Sequence, residues 1–182
     1  MKQVKLSLLY DTNSKSSIIT AHHTQYFTAT LQGWKHLLKP DKYKDVIMDS
    51  LSVMVKEKWI ELNVFCIMSN HMHMVWQVQD GYERDAVQRN FLKFVSQTIK
   101  RDLIKNHPKV LEQFYVGAKD REYQFWKQNP LSIDLWTKEV FIQKMEYIHN
   151  NLPTGRQVLL QRVYAFALKI TNIHLRSFIQ VV

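Results

Sequence analysis

The stretch Val64-Phe65-Cys66-Ile67-Met68-Ser69-Asn70-His71-Met72-His73-Met74-Val75 decides how the rest of the chain is read. Two apolar runs flank Ser69-Asn70, a pair of turn-forming residues. This reads as a hairpin, with one strand over 60–68 and the next over 71–79. In a strand, residues two apart share a face. His71 and His73 therefore point the same way, roughly 7 Å apart along it, and Met72 points oppositely, into a core. Two imidazoles beside a turn can converge on one cation. The same pair can equally be two half-buried histidines satisfied by backbone carbonyls. It can also be part of a zinc site, although zinc usually takes three or four protein ligands and the strand offers no nearby Cys, Asp or Glu.

Working outward, Gln25-Tyr26-Phe27-Thr28-Ala29-Thr30-Leu31 is aromatic and β-branched and reads as a first strand. From Asp41 to Trp59 the residues Ile47, Leu51, Val55 and Trp59 recur at fours, one face of a helix with Asp41 placed as its cap. Asp80-Gly81 closes the hairpin. A long helix follows over 83–106, with Val87, Phe91, Phe94, Val95, Ile99 and Leu103 as its apolar stripe, and Pro108 ends it. Tyr123 to Trp126 and Ile133 to Leu135 read as short strands around Asn129-Pro130. Residues 138–151 form a last helix with Phe141, Met145 and Ile148 at core spacing. Strand, helix, two strands, helix, strand, helix is an α+β sandwich with an antiparallel sheet packed on helices.

Composition bounds the partners. With 182 residues, 46% of them hydrophobic, the chain can bury one sizeable core but is short for two typical domains. Lys plus Arg number 25 against 16 for Asp plus Glu, a net charge of +9 that favours a polyanionic partner, nucleic acid ahead of anionic membrane. The single cysteine, Cys66, excludes an intramolecular disulfide framework and reads as a buried, inert thiol. No apolar run approaches the length of a membrane span and the N-terminus lacks a secretory signal, so the expected compartment is the cytoplasm, with no membrane partner.

On the last helix, Val140, Lys144, Tyr147 and Asn151 form a stripe beside the apolar face, and Tyr147 and Asn151 stand one turn apart. A tyrosine, with an ordinary pKa of about 10, needs help to act as a nucleophile. A cation polarising a phosphodiester supplies it. The bland alternative is a tyrosine packed at the core edge with a wet hydroxyl. On the 83–106 helix, Arg89, Lys93 and Lys100 lie opposite the apolar stripe, either as a solvated face or as a track for phosphates. Trp34, Trp76, Trp126 and Trp136 are candidates for stacking on unpaired bases or for core packing.

Together these segments resemble the HUH-class single-tyrosine transposases, the insertion-sequence-200-like and repetitive-extragenic-palindrome (REP)-associated kinds. Met68-Ser69-Asn70-His71-Met72-His73 is similar to the family's Met-Pro-Asn-His-hydrophobe-His, with Ser69 in place of proline. Tyr147-Ile148-His149-Asn150-Asn151 is similar to its Tyr-Ile-His-x-Asn motif, Tyr26-Phe27-Thr28-Ala29-Thr30 to its first strand, and Phe125-Trp126-Lys127 to its Trp-bearing strand upstream of the tyrosine helix. The resemblance spans residues 25–151 and implies a ferredoxin-like antiparallel sheet packed on helices. It also implies His71, His73 and Asn151 as ligands of Mg2+ or Mn2+, and Tyr147 as the nucleophile on single-stranded DNA. The product would be a 5′-phosphotyrosine and a free 3′-hydroxyl. The implied partner is single-stranded DNA with hairpin or palindromic elements, and a homodimer is expected for insertion-sequence-type members. Lys144 joins Arg89, Lys93 and Lys100 as an expected DNA contact. Residues 1–24 read as an N-terminal extension and 152–182 as a divergent tail, since Leu152 interrupts the family's Asn-Pro continuation. Two competing readings are a non-catalytic or decayed nucleic-acid-binding relative and a zinc hydrolase on the same histidines.

Overall fold

A computed structural model describes residues 23–150. The expected tail 152–182, Asn151 and all but the last two residues of the expected extension 1–24 lie outside the described residues. The elements run β1 (Gln25–Thr30), a 3-10 turn (Gln32–Trp34), α1 (Asp41–Lys56), β2 (Ile60–Ile67), β3 (His71–Val78), α2 (Arg84–Asn106), α3 (Pro108–Glu112), β4 (Tyr115–Ala118), β5 (Arg121–Tyr123), β6 (Leu131–Asp134) and α4 (Lys138–Asn150). Four strands form a sheet in the order β2-β3-β1-β6, every neighbouring pair antiparallel, and β4 and β5 make a separate hairpin. β1-α1-β2 and β3-α2-β6 are thus two split βαβ units, each with a strand of the other inserted. This is the ferredoxin-like α+β sandwich that the sequence led us to expect.

Alternation sorts the strands onto two faces. Phe27 and Ala29 of β1, Phe65 and Ile67 of β2, and Met72, Met74 and Trp76 of β3 lie in one core. They meet Ile47, Leu51 and Met54 of α1 and Val87, Phe91, Val95, Ile99 and Leu103 of α2, all buried. The opposite face carries Tyr26, Cys66 and Val75, covered by Leu135 and by Ile148 of α4, with Phe141 and Met145 at the margin. Cys66 is fully buried, and burial pushes its thiol up to about 11, so it is inert as expected. β2 accommodates one extra residue, Asn63, where the pairing shifts between Leu62–Trp76 and Val64–Val75.

Several expectations are corrected. Asp41 is not a cap: Pro40 holds that position, without a side-chain hydrogen bond. Asp41 opens the first turn, where a carboxylate suits the helix N-terminus, and pairs with the buried Lys44 at 2.8 Å. α1 stops at Lys56, before Trp59. Glu83 caps α2, its carboxylate accepting from the N–H groups of Asp85 and Ala86. Pro108 does not only end a helix; it also opens α3, where its missing N–H costs nothing. Tyr123 to Trp126 is not one strand. β5 stops at Tyr123, and Trp126 makes a single bridge to Leu31. α1 and α2 are tied at one end by Asp102, which accepts from Lys42 Nζ (2.6 Å), Tyr43 Oη (2.7 Å) and Asn106 Nδ2 (2.7 Å). Among the described residues no helix is long and apolar enough to cross a membrane.

Candidate active site on the second sheet face

The pairing Thr28–His73 and Thr30–His71 places both histidines on the face that α4 crosses. Met72 between them is fully buried on the other side. Their rings lie 4.8 Å apart, centroid to centroid, with planes at 73°. The neighbours of each imidazole decide which nitrogen faces outward. Asn70 Nδ2 donates to the Trp34 carbonyl (3.4 Å), so its Oδ1 is the atom 2.7 Å from His71 Nδ1 and must accept from it. That leaves the His71 Nε2 lone pair available. His73 Nδ1 lies 2.8 Å from both the Tyr26 and the Thr28 hydroxyls. Neither Nε2 has a hydrogen-bond partner among the described residues. Hydroxyl and amide partners on Nδ1, rather than the backbone carbonyls of the bland reading, are the arrangement that orients an imidazole for ligation through Nε2.

Burial lowers the pKa of both rings. His73, only 7% exposed, is held down at about 4 by desolvation, with His71 and the Lys144 ammonium adding to the effect. Both are therefore neutral at pH 7, the form in which imidazole binds a metal. Two neutral nitrogens suit a divalent transition cation such as Mn2+ better than Mg2+, which prefers oxygen. Among the described residues no group of three or more His, Cys, Asp or Glu converges to hold a metal, so a cation here needs a further donor. Asn151, the expected third ligand, lies one residue beyond the described chain.

α4 brings Tyr147 over this pair. Its ring lies 5.6 Å from that of His73 and 6.2 Å from that of Tyr26, edge-on to both, and the residue is 47% exposed. Buried Ile148, one residue on, docks the helix and leaves Tyr147 at its margin, where solvent and a large substrate can reach it. Lys144, a turn earlier, sets its ammonium 4.9 Å from the Tyr26 ring centroid and 5.8 Å from that of Tyr147. The structure thus brings together His71, His73, Tyr147 and Lys144, which stand up to 76 positions apart in the chain.

No family model and no curated protein matches the sequence. Solved structures do. A REP-associated tyrosine transposase bound to a REP hairpin superposes with a TM-score of 0.51 at 17% identity, over 78% of this chain and 72% of that one. The chain has the fold of a tyrosine transposase. A provisionally named transposase from Deinococcus radiodurans R1 matches with a TM-score of 0.42 at 15% identity, over 75% of this chain and 97% of its own.

On this tyrosine-transposase fold the other expected DNA contacts fall away from the histidines. Arg89 and Lys93 are exposed on α2. Lys100 is not part of a free ridge: it pairs with Glu122 at 3.5 Å and caps the Tyr123 ring at 4.4 Å. Trp76 is fully buried against Phe27 and Phe91 and cannot stack on a base. Trp34 and Trp136 remain exposed, at 59% and 68%. Sequence reasoning missed the orienting roles of Tyr26, Thr28 and Asn70. Tyr26 and Thr28 carry the period-two signal of β1, but only the strand register connects them to His73.

Proposed function

We propose that the chain is a metal-assisted DNA strand transferase that cleaves and rejoins single-stranded DNA through Tyr147. The observation that carries this reading is the placement of the Tyr147 ring 5.6 Å from that of His73, on the face where neither histidine Nε2 has a hydrogen-bond partner among the described residues. His71 and His73 would hold the cation, with Asn151 as a third ligand by resemblance. A bound Mn2+ or Mg2+ supplies polarisation of the scissile phosphate and stabilisation of the leaving oxygen.

The chain's own residues supply the rest. The Tyr147 oxygen attacks phosphorus, forming a phosphotyrosine bond as the P–O3′ bond breaks. Its proton passes to solvent, which its exposure allows, and the departing 3′-oxygen takes a proton from water. The product keeps the energy of the broken phosphodiester, so a 3′-hydroxyl can reverse the step on a new junction without an external source. Lys144 offers its ammonium to the phosphate beside the two tyrosines. Arg89 and Lys93 are contacts for DNA further along α2. Fold similarity to a transposase bound to a REP hairpin supports hairpin-bearing single strands as the substrate class.

The test is incubation of hairpin-bearing single-stranded DNA with the protein and Mn2+ or Mg2+. A protein–DNA adduct that survives denaturing electrophoresis in the wild type and vanishes in Tyr147→Phe is the expected result. No wild-type adduct across a panel of candidate hairpins overturns the reading.

A further inference from the structure

Between α2 and the chain running from β5 to β6 lies an open groove of about 770 Å3, distinct from the histidine–tyrosine site and within the roughly 300–1,000 Å3 range of ligand sites. Trp126 lines it with its ring held in place: the indole N–H donates to the Leu92 carbonyl at 3.2 Å. Arg89, Lys93 and Lys127 surround it, all exposed and without an ion-pair partner among the described residues. The two carboxylates of the groove are already matched, Asp85 by Arg84 at 3.4 Å and Asp120 by Arg121 at 3.2 Å.

The groove is joined to the active-site face by hydrogen bonds. The Gln32 N–H donates to the Phe125 carbonyl (2.7 Å) and the Lys127 N–H to that of Thr30 (2.7 Å). On the other side, the Leu31 N–H donates to the carbonyl of Asn70, next to His71 (2.9 Å). The 3-10 turn between these bonds presents Trp34 in the left-handed region, φ 57°, a costly conformation for a bulky residue. Its exposed ring sits 5.9 Å from that of His71.

We propose that this groove is a second subsite for unpaired nucleotides of single-stranded DNA, with a base on Trp126 and phosphates on Arg89, Lys93 and Lys127. The strand reaches it from the histidine–tyrosine site across Trp34. A fixed indole sharing a groove with unmatched cations is the combination that tracks a single strand: stacking holds the bases whatever their identity, and the cations follow the backbone. The inference rests on the DNA reading above and extends it to a region outside the chemistry.

The test is equilibrium binding of a fluorescein-labelled oligothymidylate of ~20 nucleotides, read by anisotropy in EDTA so that cleavage plays no part. The triple variant Arg89→Gln, Lys93→Gln, Lys127→Gln should bind about tenfold or more weakly. Its slope of log K against log salt should shrink by about 2, close to 0.7 per lost cation for a single strand. A control triple with the same charge change on exposed lysines elsewhere, Lys56→Gln, Lys105→Gln, Lys109→Gln, should keep the wild-type slope. Circular dichroism checks that both triples fold. Photocrosslinking of 5-iododeoxyuridine DNA should label the peptide containing Trp126. Three results overturn the proposal: an unchanged slope in the groove triple, an equal loss in the control, or no binding by the wild type. A groove effect without any Tyr147 adduct leaves the subsite standing and removes the strand-transfer reading instead.

Discussion

The two faces of the central sheet are built from the same strands and differ in almost everything else. Toward α1 and α2, β3 presents Met72, Met74 and Trp76, each fully buried in an apolar layer. Toward α4 it presents His71 and His73, with hydroxyl and amide partners and a half-exposed tyrosine above them. A strand thus places a dry core one residue away from polar chemistry, at no cost in chain length. The core face fixes the strand register, and the register fixes where the imidazoles point. Substitutions on the two faces should therefore separate stability from activity.

The largest expected effect is on the α4 face. His71→Ala should lower adduct formation by about 10^3-fold or more, since it removes a proposed ligand. It should change unfolding free energy by no more than about 1 kcal/mol, because His71 is only half-buried. A loss of stability comparable to the loss of activity would erase the distinction between the faces. Phe27→Ala on the core face should do the reverse, costing about 3–5 kcal/mol in denaturant unfolding while the molecules that remain folded still form adduct. Tyr26→Phe sharpens the comparison, because Tyr26 belongs to the core of the α4 face and also touches His73. Losing its hydroxyl should weaken Mn2+ affinity by about 10–100-fold, measured by titration calorimetry, at a stability cost near 1 kcal/mol.

The smallest effect lies in the helical layer. Hydrogen bonds from Lys42, Tyr43 and Asn106 hold the Asp102 carboxyl well below the usual carboxylate range. A depressed pKa contributes stability that is present above the unfolded value, about 3.9, and is lost as pH falls below it. Melting temperature should therefore start to drop at about pH 5 and keep falling well below pH 3, and less steeply in Asp102→Asn. Parallel melting profiles for the two proteins would show that the tie contributes nothing.

Much of this division could be read from residues alone. The hairpin, α1, α2 and α4 announce themselves because each buries an apolar stripe long enough to show its period, and the His-x-His spacing gives a shared face directly. The short pieces could not be read. β4, β5 and α3 are three to five residues long, too short for a period, and are held by their neighbours. The partners of His73 depend on register across β1, which no single strand encodes. Lys100 looked free because its partner, Glu122, is brought to it by a hairpin whose position depends on tertiary packing.

Asn63 bears on how the edge of the sheet can pair. Among the described residues β2 is an edge of the sheet, and its sequence is apolar over most of 60–68, the composition of a strand that recruits copies of itself. The extra residue interrupts that edge with an exposed amide and a local twist. Its removal would leave every side chain on its present face, because the pairings on either side of it, Leu62–Trp76 and Val64–Val75, would then run on as one regular ladder. What would be lost is the irregularity, a feature that makes an edge strand a poorer template for a second chain.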